Sequence, residues 1–476
     1  MANSDHLSEK CGMNTVLRVF WVLTVVSAFT GSCLLSVSFP VIGTLFPFRV
    51  FLPLTALFTL IACIRNRENP WKDASLLEKS CAVFALSLFL YGCVSLFRAV
   101  DFTHTFHRFF NLIFDMVFFL LLLYYMKKPS FRKLTVILCY VLLFTLSLVA
   151  FYEIYNGGIF FDKYDTYKRL FMMDRLCQWP TLTFANCNDL AMALVFLLSI
   201  LASDLYLSPT VTRGKTILFS LASALVYFHT VSTTSRLSRY SFFILMAALL
   251  LIFLLRKPRF FVLPVLLITA ILATQFVTQY HKVIRPYYEY RVALRAYESA
   301  GGTGADAPVL DIKSEESLME QFINADEEGN TVLRNDTSAG WRMHLLLHAF
   351  RCFKESYALG VGLGNTEMLA RDRMVTGDAG IYATHCFLVR LIADCGIFAL
   401  LPLVFIVLLL IQKIVAIFKV KNRRAAVCGI LLSAMLILYP VLSTASSDAQ
   451  DSAAMWMFLA FLVTLAVENV PKKMQE

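Results

Sequence analysis

Apolar runs close to the length of a bilayer span, almost free of charge, recur along this chain, and they restrict it to one kind of structure. Leu134 to Ala150 and Phe398 to Ile411 are two of them. About 20 residues at helical rise cover the hydrocarbon core of a bilayer. In lipid each segment must satisfy its own backbone hydrogen bonds, so such segments are helices. Of the 476 residues 58% are hydrophobic and only 16% charged, where a soluble domain carries about a quarter charged residues. The expected fold class is therefore all-α: a polytopic membrane protein of about 12 transmembrane helices.

The expected spans are residues 16–37, 41–64, 80–97, 108–126, 134–152, 185–207, 216–233, 240–255, 260–278, 386–411, 425–441 and 452–468. The run Val16 to Val37 is long and lacks a small-x-small cleavage site, so it reads as a retained first span rather than a signal peptide. Lys and Arg set the orientation. With the N-terminus cytoplasmic, the inner loops hold Arg65, Arg67, Lys72 and Lys79, then Lys127, Lys128, Arg132 and Lys133, then Arg213, Lys215, Arg256, Lys257 and Arg259, and finally Lys413, Lys419, Lys421, Arg423 and Arg424. The short outer loops are sparser in cations, so both termini are expected to be cytoplasmic. The formal net charge of +10 is explained by these loops, and nucleic acid is not an expected partner.

The chain divides into residues 1–278 with spans 1 to 9, an extracytoplasmic loop domain at 279–384, and residues 385–476 with spans 10 to 12 and a cytoplasmic tail. The large loop thus lies between helices 9 and 10. A surface helix is expected over His281 to Ser299, a glycine-rich break at 301–304, an acidic stretch through Asp326, Glu327 and Glu328, and a second helix over Gly340 to Tyr357 ended by Gly360 to Gly364. A loop of this length with its own structure is usually functional. Most of the 12 cysteines lie in apolar runs and act as small hydrophobes. Cys177 and Cys187 fall near one outer loop, and their pairing is left open.

Three constellations carry candidate chemistry. T-T-S-R-L-S-R at 233–239 puts Arg236 and Arg239 at the outer end of span 7 beside hydroxyls. Guanidinium forks match phosphate oxygens bidentately; the alternative is that both arginines snorkel to lipid phosphates. In the loop, Gly340-Trp341-Arg342 opens a helix, and G-V-G-L-G-N at 360–365 brings Gly362, Gly364 and Asn365. Closely spaced glycines let backbone amides approach an anion, although a helix stop and turn needs the same residues. His385, where the loop returns to the membrane, suits general-base work near neutral pH, or is an interface residue. Asp394, placed within span 10, needs a partner there, and Arg390 one turn earlier is the natural one. His344 and His348 are four apart on a helix, with no third ligand, and no metal is expected.

These pieces, in this order, resemble the O-antigen ligase and polymerase superfamily of bacterial membrane glycosyltransferases. F-A-N-C-N-D-L-A-M-A at 184–193, T-T-S-R at 233–236, G-W-R at 340–342 with G-V-G-L-G-N, and T-H-C-F-L-V-R-L-I-A-D-C-G-I at 384–397 carry the resemblance. Cys386 stands where the family often has Asn, and Asp394 where it commonly has Glu. Arg351 to Gly362 fits the polymerase Arg-x10-Gly spacing once, so ligase and polymerase both stay open.

The resemblance implies a GT-C-like membrane enzyme in the bacterial cytoplasmic membrane. Its donor would be a saccharide on a polyprenyl diphosphate, and its acceptor a glycan, a lipid or a wall polymer, met at the outer face of the bilayer. Transfer would be metal-independent and without cofactor. Arg236, Arg239 and Arg342 would hold the diphosphate, Arg342 also acting with His385 in catalysis, and Gly362, Gly364, Asn365 and Asp394 would support them. The competing readings are a lipid-linked oligosaccharide flippase or other polytopic transporter, and a sensor or scaffold.

Overall fold

The computed structural model describes residues 2–30, 36–39, 43–156, 182, 184, 187–207, 212–233, 235–255, 293, 295–297, 299, 337–373, 386–420, 422–444 and 453–469. Within these lie fourteen helices: α1 (Ala2–Thr30), α2 (Pro47–Arg65), α3 (Leu76–Phe97), α4 (Phe102–Met126), α5 (Pro129–Asn156), α6 (Cys187–Leu207), α7 (Arg213–Ser232), α8 (Arg236–Leu255), α9 (Thr337–Glu355), α10 (Asn365–Arg373), α11 (Phe387–Cys395), α12 (Ile397–Lys419), α13 (Arg423–Ser443) and α14 (Ala453–Glu468). Among the described residues nine helices are long and apolar enough to cross a membrane, and the apolar parts of α1 and α14 are two shorter ones. The expected span 260–278 lies outside the described residues. The protein is an all-α polytopic membrane protein, with one small hairpin among the described residues.

That hairpin corrects the first two expected spans. Strand β1 (Val37–Phe39) pairs antiparallel with β2 (Gly43–Leu45), Val37 opposite Leu45. Pro40 and Gly43 interrupt the apolar sequence, and β-branched Val37 and Thr44 suit a pleated ribbon. Val37, the expected last residue of the first span, is therefore in a strand, and the described first helix covers Ala2–Thr30.

Helix starts are written locally. Ser75 and Glu78 form a reciprocal capping box at α3, Asp101 caps α4 through the His104 amide at 3.0 Å, and Asn422 caps α13 through the Ala425 amide at 2.7 Å. Each satisfies a backbone donor that a helix start leaves open.

α6 and α14 are buried along nearly their whole length and form the centre of the bundle. Phe196 on α6 meets Phe458 on α14 with ring centroids 4.3 Å apart, and Phe119 on α4 and Phe387 on α11 both reach Trp456. The peripheral helices keep apolar side chains outward, such as Leu401, Val404 and Leu408 on α12, where lipid rather than water is the neighbour.

The two ends of the bundle are chemically distinct. At one end Lys127 pairs with Glu78, Lys128 with Glu68, Arg132 with Glu468 and Lys215 with Asp204. These groups all come from connections expected on the same side. The candidate site lies at the opposite end.

The tenth expected span, 386–411, is corrected as well. It is broken at Gly396 (φ +60°, ψ −140°) into the nine-residue α11 and the long α12. Asp394 is consequently one residue from a helix end, not deep inside a span.

Candidate active site

α9, α10 and α11 build the site around a turn made of residues 356–364. Just after α9, Tyr357 and Ala358 take positive φ (52° and 62°), and the Ala358 amide reaches back to the Phe353 carbonyl at 2.9 Å. The chain then runs beside the end of α11. Val361 and Gly362 donate to the Ala393 and Asp394 carbonyls at 3.1 and 2.9 Å, and Ile397 donates to the Ala358 carbonyl at 2.8 Å. The last carbonyls of α11 are thus satisfied by a separate segment.

Two glycines make this crossing possible. A Cβ on Gly360 would lie 2.6 Å from the Gly396 amide nitrogen, and one on Gly396 would collide with Ala358, Leu359 and Gly360 backbone atoms. Both have positive φ, which L side chains adopt only at a cost.

The glycine turn meets a carboxylate, and it belongs to the chain itself. Asp394, fully buried, accepts from the Gly364 amide at 3.0 Å, the Thr366 amide at 3.2 Å and the Thr366 hydroxyl at 2.5 Å. Asn365 ties the same turn to the α3–α4 connection. Its Nδ2 donates to the Arg98 carbonyl at 3.0 Å and the Val361 carbonyl at 2.8 Å, and its Oδ1 accepts from the Val100 amide at 3.1 Å. Gly362, Gly364, Asn365 and Asp394 are therefore one assembly.

Arg390 contacts more than its expected partner. Its Nε is 3.7 Å from Asp394 Oδ2, and its second guanidinium nitrogen is 2.8 Å from Glu367 Oε1. The latter is an ion pair by distance, without the alignment of an N–H···O bond. Glu367 Oε2 accepts from Arg108 at 2.9 Å and lies 3.1 Å from His104 Nε2. Glu367 and Arg390 are buried, with side-chain exposures of 7% and 3%, while Arg108 and His104 are partly exposed at 14% and 24%. Burial pushes the Glu367 carboxyl up. Arg390, then Arg108, then the hydrogen bond from His104 outweigh it and hold the carboxyl well below the usual carboxylate range. Two guanidiniums thus face the Glu367 carboxylate from two helices, the pairing that burial of an ion requires.

The other expected site residues are placed as follows. Arg342 lies on α9, which packs against α11 through buried Ala349 and Cys352 touching Ala393. His385 lies outside the described residues; it immediately precedes Cys386, the capping residue just before α11. His348 is buried, its Nε2 3.1 Å from the Thr366 carbonyl and 3.3 Å from Cys352 Sγ. Arg351 is exposed and pairs with Glu355 at 3.6 Å.

Arg236 is the first residue of α8 and is exposed, with Arg239 half-buried one turn on. A helix start carries a partial positive charge, so two arginines there favour an anion as their counterpart. The turn before them is held by the Thr233 hydroxyl, which donates to the His229 carbonyl at 2.7 Å, and by the Ser235–Ser238 hydroxyl pair at 2.9 Å. Cys187, at the start of α6, donates through Sγ to the Thr233 carbonyl at 3.6 Å, which joins two of the motifs of the resemblance. Cys177 lies outside the described residues.

The residues that sequence reasoning missed are Glu367, Arg108, His104 and Thr366. His104 and Arg108 are four apart on the start of α4, and that spacing was a usable sign of a shared polar face. Glu367 carried no comparable sign.

Residues 210–404 match the family described as O-antigen ligase. That stretch holds Arg236, Arg239, Arg342, Gly362, Gly364, Asn365, Glu367, Arg390 and Asp394, while Arg98, Val100, His104, Arg108 and Cys187 lie before it. The resemblance to the O-antigen ligase and polymerase superfamily thus rests on the candidate site itself. The teichuronic acid biosynthesis protein TuaE of Bacillus subtilis (strain 168) is 23% identical over 447 residues, covering 91% of this chain and 80% of that protein. The likeness to TuaE therefore extends well beyond the matched segment, into the helices before it.

Proposed function

We propose that this chain is a membrane glycosyltransferase which moves a glycan from a polyprenyl diphosphate to an acceptor at the outer face of the cytoplasmic membrane. The observation that carries the reading is the clamp between α9 and α11. It packs the helix that bears Arg342 against the helix that His385 precedes, inside the stretch that matches the O-antigen ligase family. The N- and C-termini and the paired-ion end of the bundle are assigned to the cytoplasm, because their connections carry most of the Lys and Arg.

In the proposed reaction the acceptor hydroxyl oxygen bonds to the anomeric carbon. The bond from that carbon to the diphosphate oxygen breaks, and the polyprenyl diphosphate leaves with the electron pair. Arg236, Arg239 and Arg342 hold the diphosphate and meet the charge that develops on it. His385 orients the acceptor and takes its proton. Asp394 and Asn365 act only through the backbone they fix. The energy resides in the donor's diphosphate bond, so neither nucleotide nor metal enters the scheme. A relative named for teichuronic acid biosynthesis favours a cell-envelope polysaccharide as the product.

The test is the lipid-linked and surface glycan profile of a deletion strain carrying wild type or His385→Ala. Single repeats replacing long chains, unrescued by the variant, identify a polymerase. Long chains stranded on their carrier identify a ligase. A profile unchanged by deletion would remove glycosyl transfer from consideration.

A further inference from the structure

At the end of the bundle opposite the candidate active site, α5, α6, α7, α13 and α14 surround a cavity of about 510 Å³. Its rim carries four cations, Arg132, Lys133, Lys215 and Arg424, against two carboxylates, Asp204 and Glu468. Arg132 pairs with Glu468 and Lys215 with Asp204. Lys133 and Arg424 are exposed, and neither pairs with a carboxylate among the described residues. The rim therefore has positive charge in excess of what the protein supplies to meet it. Arg132, Lys215 and Arg424 each sit in the first turn of their own helix, where the helix dipole adds to that excess rather than offsetting it.

Below the rim the walls are apolar and include Val136, Leu207 and Phe461. Tyr140 also lines the cavity, and its buried hydroxyl has no hydrogen-bond partner among the described residues. The side of the cavity is formed by Ile137 and Leu218, apolar side chains 47% and 38% exposed on two membrane-spanning helices. Exposed apolar residues continue from there along both helices, with Val141 and Leu148 on α5 and Leu221 on α7. A soluble anion has no use for that track. A molecule with a phosphate head and a hydrocarbon tail matches both parts. Basic pockets between spans are known places for acidic headgroups.

We propose that this cavity is a binding site for an anionic phospholipid of the surrounding bilayer, its phosphate between Lys133 and Arg424 and one acyl chain along the exposed faces of α5 and α7. The site is independent of the catalytic reading and would exist in a transporter equally.

The full-length protein, purified in detergent, is mixed with equal amounts of phosphatidylglycerol and phosphatidylcholine and examined by native mass spectrometry. Retained phosphatidylglycerol in clear preference is expected. Each cation removed beside an anionic headgroup weakens binding roughly fivefold, so Lys133→Gln/Arg424→Gln should lose most of the preference. Both side chains are exposed, so their removal leaves the packing intact. Leu218→Trp, which fills the apolar mouth, should weaken retention without altering the charge. Equal retention of the two lipids by the wild type, or a preference undiminished in the double variant, would overturn the proposal. So would displacement of the lipid by inorganic phosphate with no effect of Leu218→Trp, because that pattern describes a soluble-anion site.

Discussion

The two ends of the bundle hold ions in opposite ways. At the cation-rich end most pairs are half-exposed, Lys215 with Asp204 at 37% and 24% and Lys128 with Glu68 at 35% and 39%, the exception being Lys127 with Glu78, whose carboxylate is 3% exposed. At the other end Glu367, Arg390 and Asp394 are almost wholly enclosed, and Arg108 nearly so. Exposed pairs contribute about 0–1 kcal/mol. A buried pair gives little net stability when complete, yet leaves an uncompensated charge when one member is removed. Apart from buried Glu78 the first end tolerates change, and the second end holds its geometry on pain of unfolding locally. The proposed grip of guanidiniums on a diphosphate calls for the second kind of end.

The largest expected effect that would break this comparison is at Glu367. Glu367→Ala strands Arg390 and Arg108 and should destabilise the protein by about 3–5 kcal/mol, read as lost thermal stability in detergent and lost complementation in the glycan assay. A loss no larger than that of an exposed pair would mean the two ends are alike. Next comes the crossing of α11 with the preceding turn. Gly396→Ala, at positive φ against three backbone neighbours, should cost about 1–3 kcal/mol, and Ala at exposed Gly214, where nothing lies within 4 Å of a new Cβ, is its control.

Acid sharpens the contrast further. The Glu367 carboxyl is held below its unfolded value, so its contribution is complete above the unfolded pKa of about 4.3 and declines as pH falls below that toward the folded value. Wild type should therefore lose stability on acidification more steeply than Glu367→Gln, whose amide does not titrate in this range. Parallel profiles would show that the carboxyl is not held down. The smallest effect is expected at the cation-rich end: Lys215→Gln should change stability by less than about 1 kcal/mol, measured by the same thermal assay.

The spans could be read from sequence because hydropathy is a local property, and α3 to α8, α13 and α14 lie within a few residues of their expected places. The break at Gly396 was hidden because apolar residues, Leu391 to Ala393 and Ile397 to Leu401, stand on both sides of it; only the crossing with Gly360 forces it. The hairpin at Val37–Leu45 was masked by the same apolarity. Within the site, Asp394 stood out as an ionisable residue within an expected span, and Asn365 came in with the glycine-rich stretch at 360–365. Glu367 did not, since a lone Glu on a short polar helix looks solvated. Its partners Arg108 and Arg390 are supplied by two other helices, one of them 259 positions away, and no local pattern encodes such a meeting.

The paired glycines at 360 and 396 also act as a ruler. Two backbone segments lie against each other with no side chain between them, and the hydrogen bonds from 361, 362 and 397 fix their register residue by residue. Sliding either segment by one position would move Asp394 off its amides and turn the start of α11 to a new angle. Substitutions on the outer faces of these helices can accumulate freely, but insertions and deletions between 356 and 364, or between 390 and 397, cannot. In this part of the chain it is length, more than residue identity, that is under the tightest physical control.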